Sequence, residues 1–231
     1  MPTAPAPSAL AQAAHSSWDW SAVADFMPRF WDGVLVTLQV LALGSVISFT
    51  LGLVWALALR APYRLVRWPV AAVTEFIRTT PLLVQLFFLF FVLPEWGVRF
   101  SALTTGILAI GLHYSTYTAQ VYRAGIDAVP RGQWEAATAL SLPAHRTWSA
   151  VILPQALRRI APALGNYVIS MLKDTPLLAG ISVLEMLQQS RLEGASTFQY
   201  TEPLTVVGVA FVLIAYPASL LVRALERRLA R

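Results

Sequence analysis

Long apolar stretches recur along the chain and predict helices that cross a membrane. The stretches 34–59 and 203–222 contain no Asp, Glu, Lys or Arg. The stretches 68–93, 101–122 and 156–184 are comparably apolar, but a few polar positions interrupt them. A helix needs roughly 20 predominantly apolar residues to cross the hydrocarbon core of a bilayer. The pattern therefore predicts an all-α, polytopic membrane protein with five transmembrane helices.

The composition supports a membrane protein and excludes several other classes. Of the 231 residues, 57% are hydrophobic and 13% are charged, whereas soluble domains carry roughly 25% charged residues. The absence of cysteine excludes disulfides, thiolate metal sites and cysteine nucleophiles. The histidines His15, His113 and His145 lack metal-ligand spacing, so no metal and no cofactor is expected. The net charge is +5, but the arginines flank apolar runs, so nucleic acid is not an expected partner.

The segments outside the predicted spans differ from one another in composition. Residues 1–17 are rich in Ala, Pro and Ser and lack the basic start and apolar core of a signal peptide, which predicts a disordered tail. Residues 18–33 mix aromatic and acidic side chains, which is typical of a helix at the membrane–water boundary. Residues 34–222 then form the transmembrane domain, and residues 223–231 form a basic tail.

The distribution of arginines predicts the orientation of the chain in the membrane. Twelve arginines lie in three segments that alternate with the segments holding only three. The twelve lie in 60–67, 123–159 and 223–231, and the three are Arg29, Arg99 and Arg191. Because segments that stay in the cytoplasm carry an excess of Lys and Arg, we expect the N-terminus outside and the C-terminus in the cytoplasm.

The longest polar segment, 130–154, joins the third and fourth predicted spans. It is predicted to form a helix over 133–142, a break at Pro143 and a second helical stretch over 145–152 that ends at Pro154. Small alanines in the first helix would let another surface approach its backbone closely. A cytoplasmic hairpin that merely joins two spans would also explain the segment if it carried no further pattern.

A further pattern is present. Glu135-Ala136-Ala137, then Ser141, then Val151-Ile152-Leu153-Pro154 resembles the EAA coupling loop of ATP-binding-cassette (ABC) importer permeases, which reads E-A-A, three residues, Gly, nine residues, I-x-L-P. Ser141 replaces the usual Gly, which makes a left-handed turn less comfortable, and Val151 replaces the usual Ile. The resemblance implies a set of residues that couple the chain to an ATPase. These residues are Glu135, Ala136, Ala137, Ser141, Leu153 and Pro154.

The resemblance extends over most of the chain, from about 33 to 222. The segments 77–87 and 173–178 resemble the two T-P-L segments of the polar amino-acid uptake permeases, which handle histidine, glutamine, arginine and opines. The segments 111–126 and 163–169 are similar to ectoine and hydroxyectoine permeases. The resemblance implies the ABC type I importer permease fold and import of a small zwitterionic compatible solute or a polar amino acid, with a role in osmoprotection.

The resemblance also implies partners and a location. They are two ABC ATPase subunits, a second permease subunit that is identical or a sister chain, and an extracytoplasmic solute-binding protein, all at a bacterial inner membrane. The chain has no G-x-x-x-x-G-K-[ST] motif, so we expect the partner to bind and hydrolyse ATP. We therefore expect a transporter subunit and not an enzyme.

Polar residues inside the predicted spans are candidates for the substrate pathway. The pattern Arg/Lys-x-Thr-Pro-Leu-Leu occurs in spans two and four, and ionised groups at that depth usually face a partner or a water-filled path. Span three adds three polar residues at i, i+4 and i+7 on one face. The candidates are Arg78, Thr80, His113, Tyr117, Gln120, Lys173, Asp174 and Thr175. Purely structural pairs, Glu75 with Arg78 and Lys173 with Asp174, would explain the charges equally well.

Other classes of function are weighed on the same residues. No G-x-S-x-G motif, metal-ligand set or catalytic carboxylate pair points to a membrane-embedded enzyme. Five spans are few for a self-sufficient secondary transporter unless subunits associate. A structural or signalling membrane subunit is the remaining alternative, but it leaves the residues around Glu135 unexplained. The segment 185–202 is the longest external loop, which would either receive a binding protein or close the outer mouth.

Overall fold

The computed structural model describes residues 18–229, and every regular element in that range is helical. This confirms the all-α class; the predicted tail 1–17 lies outside the described residues. In chain order the α-helices are α1 (Trp20–Leu59), α2 (Arg64–Thr79), α3 (Leu82–Phe87), α4 (Ala102–Asp127), α5 (Arg131–Ala139), α6 (Ala144–Arg146), α7 (Leu153–Asp174), α8 (Met186–Thr197) and α9 (Thr201–Leu229). Helix α3 continues as a π-helix (Phe88–Val92) and a 3₁₀-helix (Leu93–Trp96), a π-helix (Thr147–Ile152) joins α6 to α7, and a 3₁₀-helix (Thr175–Ile181) follows α7.

Helix α1 is a single helix of 40 residues. It begins after Asp19, whose side chain accepts a 2.8 Å hydrogen bond from the backbone N–H of Ser21, a typical N-cap. The segment 18–33 therefore continues into the first predicted span without a break. Its position at the membrane–water boundary stays a prediction.

The second predicted span is broken at its T-P-L segment. Proline has no backbone N–H and disfavours the helical conformation in the residue before it. Thr80 is accordingly extended, at φ −85° and ψ 132°, and α2 ends at Thr79. The chain then turns by 103° into the helical stretch Leu82–Trp96. Pro81 therefore lies at a sharp change of direction, whereas Pro69 lies inside the continuous helix α2.

The chain stays helical through Pro154, which corrects the predicted end of a helix there. Pro154 occupies the first turn of α7, where a missing N–H does little harm, and the preceding turn is a π-helix. The fourth predicted span then leads through the 3₁₀-helix at Pro176 and bends by 44° into α8. The segment predicted as a long external loop thus contains a helix of 12 residues.

Helix α4 lies at the centre of the fold and packs along α1. Glycines allow the close approach, because a Cβ on Gly111 would come within 2.6 Å of Ile47. Buried polar groups add hydrogen bonds between the two helices: Thr118 Oγ1 donates to Ser48 O at 2.8 Å, and Trp55 Nε1 donates to Ser115 Oγ at 3.1 Å. Small residues and hydroxyls at such an interface are typical of helix packing in membranes.

The number of crossings is supported only in part. By length and composition, α1 and α9 are apolar enough to cross a membrane, and two bent helix pairs would raise the number among residues 18–229 to four. The predicted span outside these four is the third, 101–122 in α4, whose polar residues face other helices. A helix enclosed by protein needs fewer apolar residues than one that faces lipid, so five crossings stay a prediction.

The contacts between connecting segments group them at two ends of the bundle. At one end Arg60 forms an ion pair with Asp127, and Arg159 donates a hydrogen bond to Ala128 O. At the other end Arg29 forms an ion pair with Glu193. The first group adjoins the segment 130–154. The structure thus brings two of the predicted cytoplasmic segments, 60–67 and 123–159, together, and their side of the membrane stays a prediction.

Candidate functional site

A glutamine from α3 stabilises the break between α2 and α3 by hydrogen bonding. Gln85 Nε2 lies 2.6 Å from Ile77 O and 2.8 Å from Thr80 O, which are carbonyl groups that the end of a helix leaves without partners. The same amide nitrogen lies 3.0 Å from His113 Nδ1 on α4. Gln85 therefore fixes the broken backbone to the central helix. His113 itself is buried, with 8% of its surface exposed.

The rings of three tyrosines pack against one another beside this break. Tyr114 and Tyr117 come from α4 and Tyr167 from α7, and their ring centroids lie 5.9 to 6.0 Å apart. The His113 ring lies 5.2 Å from the ring of Tyr117. We call these four residues the aromatic cluster. Ring spacings of this size are favourable aromatic contacts.

The aromatic cluster connects the two T-P-L segments. Tyr117 donates its hydroxyl hydrogen bond to Arg78 O at 3.2 Å, at the end of α2. Tyr114 donates to Asp174 Oδ2 at 2.7 Å, at the end of α7. The two halves of the repeated pattern therefore meet across α4. This arrangement presents aromatic faces, phenol hydroxyls and a carboxylate at two helix breaks.

The charged side chains of the two T-P-L segments differ in their partners. Arg78 pairs with Glu75 at 2.5 Å, so the local pair that the spacing allowed is formed, and both side chains remain partly exposed. Lys173 is in none of the ion pairs found within 18–229, and Asp174 instead accepts from Tyr114. The Lys173 side chain lines a groove between α7 and α9, beside Tyr216.

The remaining candidates make local hydrogen bonds. Thr80 Oγ1 donates to Phe76 O at 2.7 Å, and the fully buried Thr175 donates through Oγ1 to Leu172 O at 2.8 Å. Gln120 accepts from Arg123 at 3.2 Å, one turn beyond the aromatic cluster. The structure thus brings Arg78, His113, Tyr117 and Asp174 together and links Thr80 to His113 through Gln85, whereas Lys173 faces the groove toward α9. Sequence reasoning missed Gln85, Tyr114 and Tyr167.

The segment 130–154 forms a compact unit in which α5 lies on the π-helix that follows α6. The rings of Trp134 and Trp148 meet edge-on at 5.2 Å, and Gln155 Nε2 donates to Gln133 Oε1 at 3.0 Å. Ala137 faces this contact and is only 3% exposed. Its small side chain therefore lets the π-helix of the same chain pack closely. The sequence had instead indicated that another surface would approach this alanine.

The outward face of α5 carries the other residues of the motif. Glu135 and Ala136 are exposed, and Leu140, which sequence reasoning missed, is 72% exposed. Ser141 has φ 51°, in the left-handed region that favours glycine. The backbone N–H of Leu142 donates to Ala137 O at 3.0 Å and closes the end of the helix. Pro154 is exposed as well, and Leu153 is half-buried.

Comparisons with known proteins agree with this geometry. The family described as binding-protein-dependent transport system inner membrane component matches residues 48–231. A probable amino-acid ABC transporter permease protein of Sinorhizobium fredii is 47% identical over 200 residues, which make up 87% of this chain and 87% of that protein. An arginine transport system permease protein of Bacillus subtilis is 30% identical over 212 residues, or 91% of this chain and 97% of that protein.

The fold is also similar to a solved structure, the crystal structure of an amino acid ABC transporter with histidines. The two chains are 32% identical and superpose with a TM-score of 0.84, and the match covers 92% of this chain and 99% of that chain. The family match extends over more than half of the sequence and includes both T-P-L segments and the segment 130–154. The chain therefore belongs to the family of binding-protein-dependent transport system inner membrane components and is a permease subunit of an ABC transporter.

Proposed function

We propose that this permease carries a small zwitterionic solute, ectoine or hydroxyectoine or a polar amino acid, into the cytoplasm. The observation that supports this solute class is the aromatic cluster. Its aromatic faces attract a cationic group, and the Asp174 carboxylate beside Tyr114 adds a negative charge. The exposed side of Arg78 offers a matching cation for a carboxylate.

The two helix breaks support a path that opens and closes at the aromatic cluster. Non-helical backbone at membrane depth is tolerated where it lines a cavity or is enclosed by protein. Thr80 is such a residue, α7 changes to a 3₁₀-helix at Thr175, and the tyrosines link these two places. Transport would then alternate between inward-facing and outward-facing populations as the ATPase binds and hydrolyses ATP.

The outward face of α5 is the proposed contact with the ATPase. Glu135, Ala136 and Leu140 form an exposed surface with little bulk, one charge and one apolar side chain. The inward face holds α5 on the π-helix through Trp134 and Trp148. Because α5 packs on the π-helix and the chain remains helical from α6 into α7, a displacement of α5 by the ATPase would also displace α7.

The solute within this class is the finer part of the proposal. Two segments of the sequence resemble ectoine permeases, whereas the printed names of the relatives refer to amino acids, arginine among them. The proposed assembly contains two permease chains, two ATPases and an extracytoplasmic binding protein at a bacterial inner membrane. The folded α8, held by the ion pair of Arg29 with Glu193, is the proposed docking surface for that binding protein.

The deciding experiment measures uptake of labelled ectoine and labelled polar amino acids in cells with and without this chain, with the partner ATPase and binding protein present. Loss of ectoine uptake alone supports the narrow assignment. Loss of uptake of an amino acid or an opine keeps the transport proposal and replaces the solute. If no solute is affected, the chain is a non-transporting structural or signalling subunit.

The aromatic cluster is tested with Tyr114→Phe, which removes the hydroxyl that donates to Asp174 and keeps the ring. We expect solute uptake to fall about tenfold, because a hydrogen bond to a charged group contributes about 1.5–3 kcal/mol. Arg78→Ala should lower uptake without lowering co-purification of the ATPase. The matched control is Tyr216→Phe, a tyrosine in the groove between α7 and α9. Equal uptake by Tyr114→Phe and the wild type would contradict the pathway.

A further inference from the structure

A cavity of about 360 Å³ opens between α7 and α9, away from the aromatic cluster. Its polar lining consists of Arg158, Arg159 and Asn166 from α7 and Glu226 from α9. The proposed transport function uses none of these residues. Pro162 and Leu229 supply apolar lining. The cavity therefore combines two cations, an amide and one carboxylate.

The cavity lies at the end of the bundle that carries the segment 130–154. Arg159 donates a hydrogen bond to Ala128 O, two residues before that segment. The two helices come into contact beside the cavity, because a Cβ on Gly165, next to Asn166 of the lining, would lie 2.8 Å from Val222. On α9 the lining residues Glu226 and Leu229 lie near the end of the helix.

The charged groups of the cavity do not neutralise one another directly. Within the described range 18–229, the ion pairs are those of Arg29, Arg60 and Arg78, so Arg158 and Glu226 are in none of them. Both side chains are exposed. Unpaired guanidinium and carboxylate groups in one small cavity are suited to a ligand that carries both signs of charge.

Exposed apolar side chains lie on the same two helices, close in sequence to the residues that line the cavity. Leu157 on α7 is 44% exposed, and Leu221 and Leu225 on α9 are 71% and 39% exposed. In a membrane these surfaces face acyl chains. Basic pockets between helices at the cytoplasmic side are known to bind lipid headgroups, and ligand cavities usually measure about 300–1,000 Å³. A cavity at the lower end of that range accommodates a headgroup while the tails lie along the leucines.

We propose that this cavity binds the headgroup of phosphatidylethanolamine from the cytoplasmic leaflet. Arg158 and Arg159 bind the phosphate, and Glu226 binds the ammonium group. The carboxylate is what selects this lipid, since it repels a purely anionic headgroup and can accept hydrogen bonds from a primary ammonium but not from a quaternary one. Only the assignment to the cytoplasmic leaflet rests on the proposed orientation of the permease.

The test uses the full-length chain, purified in detergent and depleted of lipid, and titrates short-chain phosphatidylethanolamine, phosphatidylglycerol and phosphatidylcholine. Binding is followed by the shift in thermal unfolding and by lipid retained in native mass spectra. We expect phosphatidylethanolamine to bind about tenfold more tightly than either other lipid, and Arg158→Gln to weaken its binding about tenfold, because a charge-assisted hydrogen bond is lost. Glu226→Gln should abolish the preference over phosphatidylglycerol. Arg227→Gln, one residue farther on α9 and outside the lining, is the control.

Three results would overturn the proposal. The first is equal binding of phosphatidylethanolamine and phosphatidylglycerol to the wild type. The second is an unchanged preference in Glu226→Gln, a variant that retains a side chain of the same size on the exposed last turns of α9. The third is an equal effect of soluble phosphoethanolamine or of ectoine at the same concentration, which would assign the cavity to a cytoplasmic solute. Because the readout is lipid binding in detergent, it is independent of solute uptake.

Discussion

At the scale of single residues, the fold depends on places where a side chain is absent. Gly52 lies on α1 against α4, where a Cβ would overlap Thr118 Oγ1 and lie 3.0 Å from Ser115 O. Thr118 uses that hydroxyl to bind Ser48 O across the two helices. A methyl group at Gly52 would therefore displace an interhelical hydrogen bond as well as separate two backbones.

We expect Gly52→Ala to destabilise the folded chain by about 1–3 kcal/mol, which is the usual cost of overpacking. The control is Gly208→Ala on α9, where nothing lies within 4 Å of the new Cβ. That change should stabilise the chain by roughly 0.5–1 kcal/mol because alanine favours a helix over glycine. Tryptophan fluorescence during thermal unfolding in detergent measures both. Equal effects of the two substitutions would show that the α1–α4 contact does not limit stability.

Ser141 is a second residue whose backbone conformation decides its preferred identity. Its φ of 51° lies in the left-handed region, which costs an L-residue about 1–2 kcal/mol. We expect Ser141→Gly to stabilise the segment 130–154 by about 0.5 kcal/mol, since the greater entropy of unfolded glycine offsets part of the gain. Hydrogen exchange of α5 measures the change. Gly97→Ala, at φ 84° with open space around it, is the reverse control and should destabilise its turn.

At the scale of secondary structure elements, the breaks between helices and the packing of α5 on the π-helix shape the fold more than helix length does. The second predicted span is two helices at 103°, and α5 is attached to the π-helix by paired tryptophans. The motif residues of α5 consequently serve two different surfaces. Ala137 packs inside the chain, while Ala136 on the adjacent position faces outward.

Because Ala136 faces outward and Ala137 is buried, we expect substitutions at these two positions to impair the protein in different ways. Ala136→Arg should leave the amount of folded permease unchanged and lower co-purification of the ATPase and solute uptake about tenfold, because a bulky cation blocks the proposed contact. Ala137→Arg should lower the amount of folded protein, because a buried position cannot hold an unpaired charge cheaply. Membrane insertion, ATPase pull-down and uptake are measured for both. A well-folded Ala137→Arg chain that still pulls down the ATPase would contradict the packing of α5.

At the scale of the whole molecule, the segments between helices are divided between two ends. Arg60 with Asp127 and Arg159 with Ala128 mark one end, and Arg29 with Glu193 marks the other. The positive-inside rule assigns the first end to the cytoplasm. The segment 130–154 would then face the compartment that contains ATP.

The absence of cysteine allows a clean test of this orientation, because any single cysteine is then the only thiol. Gly132→Cys lies on α5 with open space around it, and Gln199→Cys lies between α8 and α9 at the other end. In cells with a permeable outer membrane, an impermeant maleimide should label Gln199→Cys directly and Gly132→Cys only after the inner membrane is opened. The reverse pattern would invert the proposed topology.

Patterns along the chain were sufficient to predict the helical class and the family of the protein. Apolar runs predicted helices, and a helix forms from local hydrogen bonds that need no distant partner. The end of α2 before Pro81 is also a local effect, because proline acts on its immediate neighbours, although the apolar pattern predicted one span over 68–93. The spacing of Glu135, Ser141 and Pro154 carried the resemblance to the EAA loop, and the coupling role of these residues stays a prediction. The sequence by itself therefore determined the helical class, the family resemblance and the uneven distribution of arginines among the connecting segments.

The tertiary structure alone decided which of these residues meet. Tyr167 contacts Tyr114 and Tyr117 although it lies about 50 residues away along the chain. Gln85 on α3 likewise contacts His113 on α4. Adjacent residues were separated in turn, since Asp174 faces α4 and Lys173 faces α9. Such contacts depend on how helices rotate and cross, and that is set by the packing of many side chains at once. Periodicity along one helix carries no information about the partner on another.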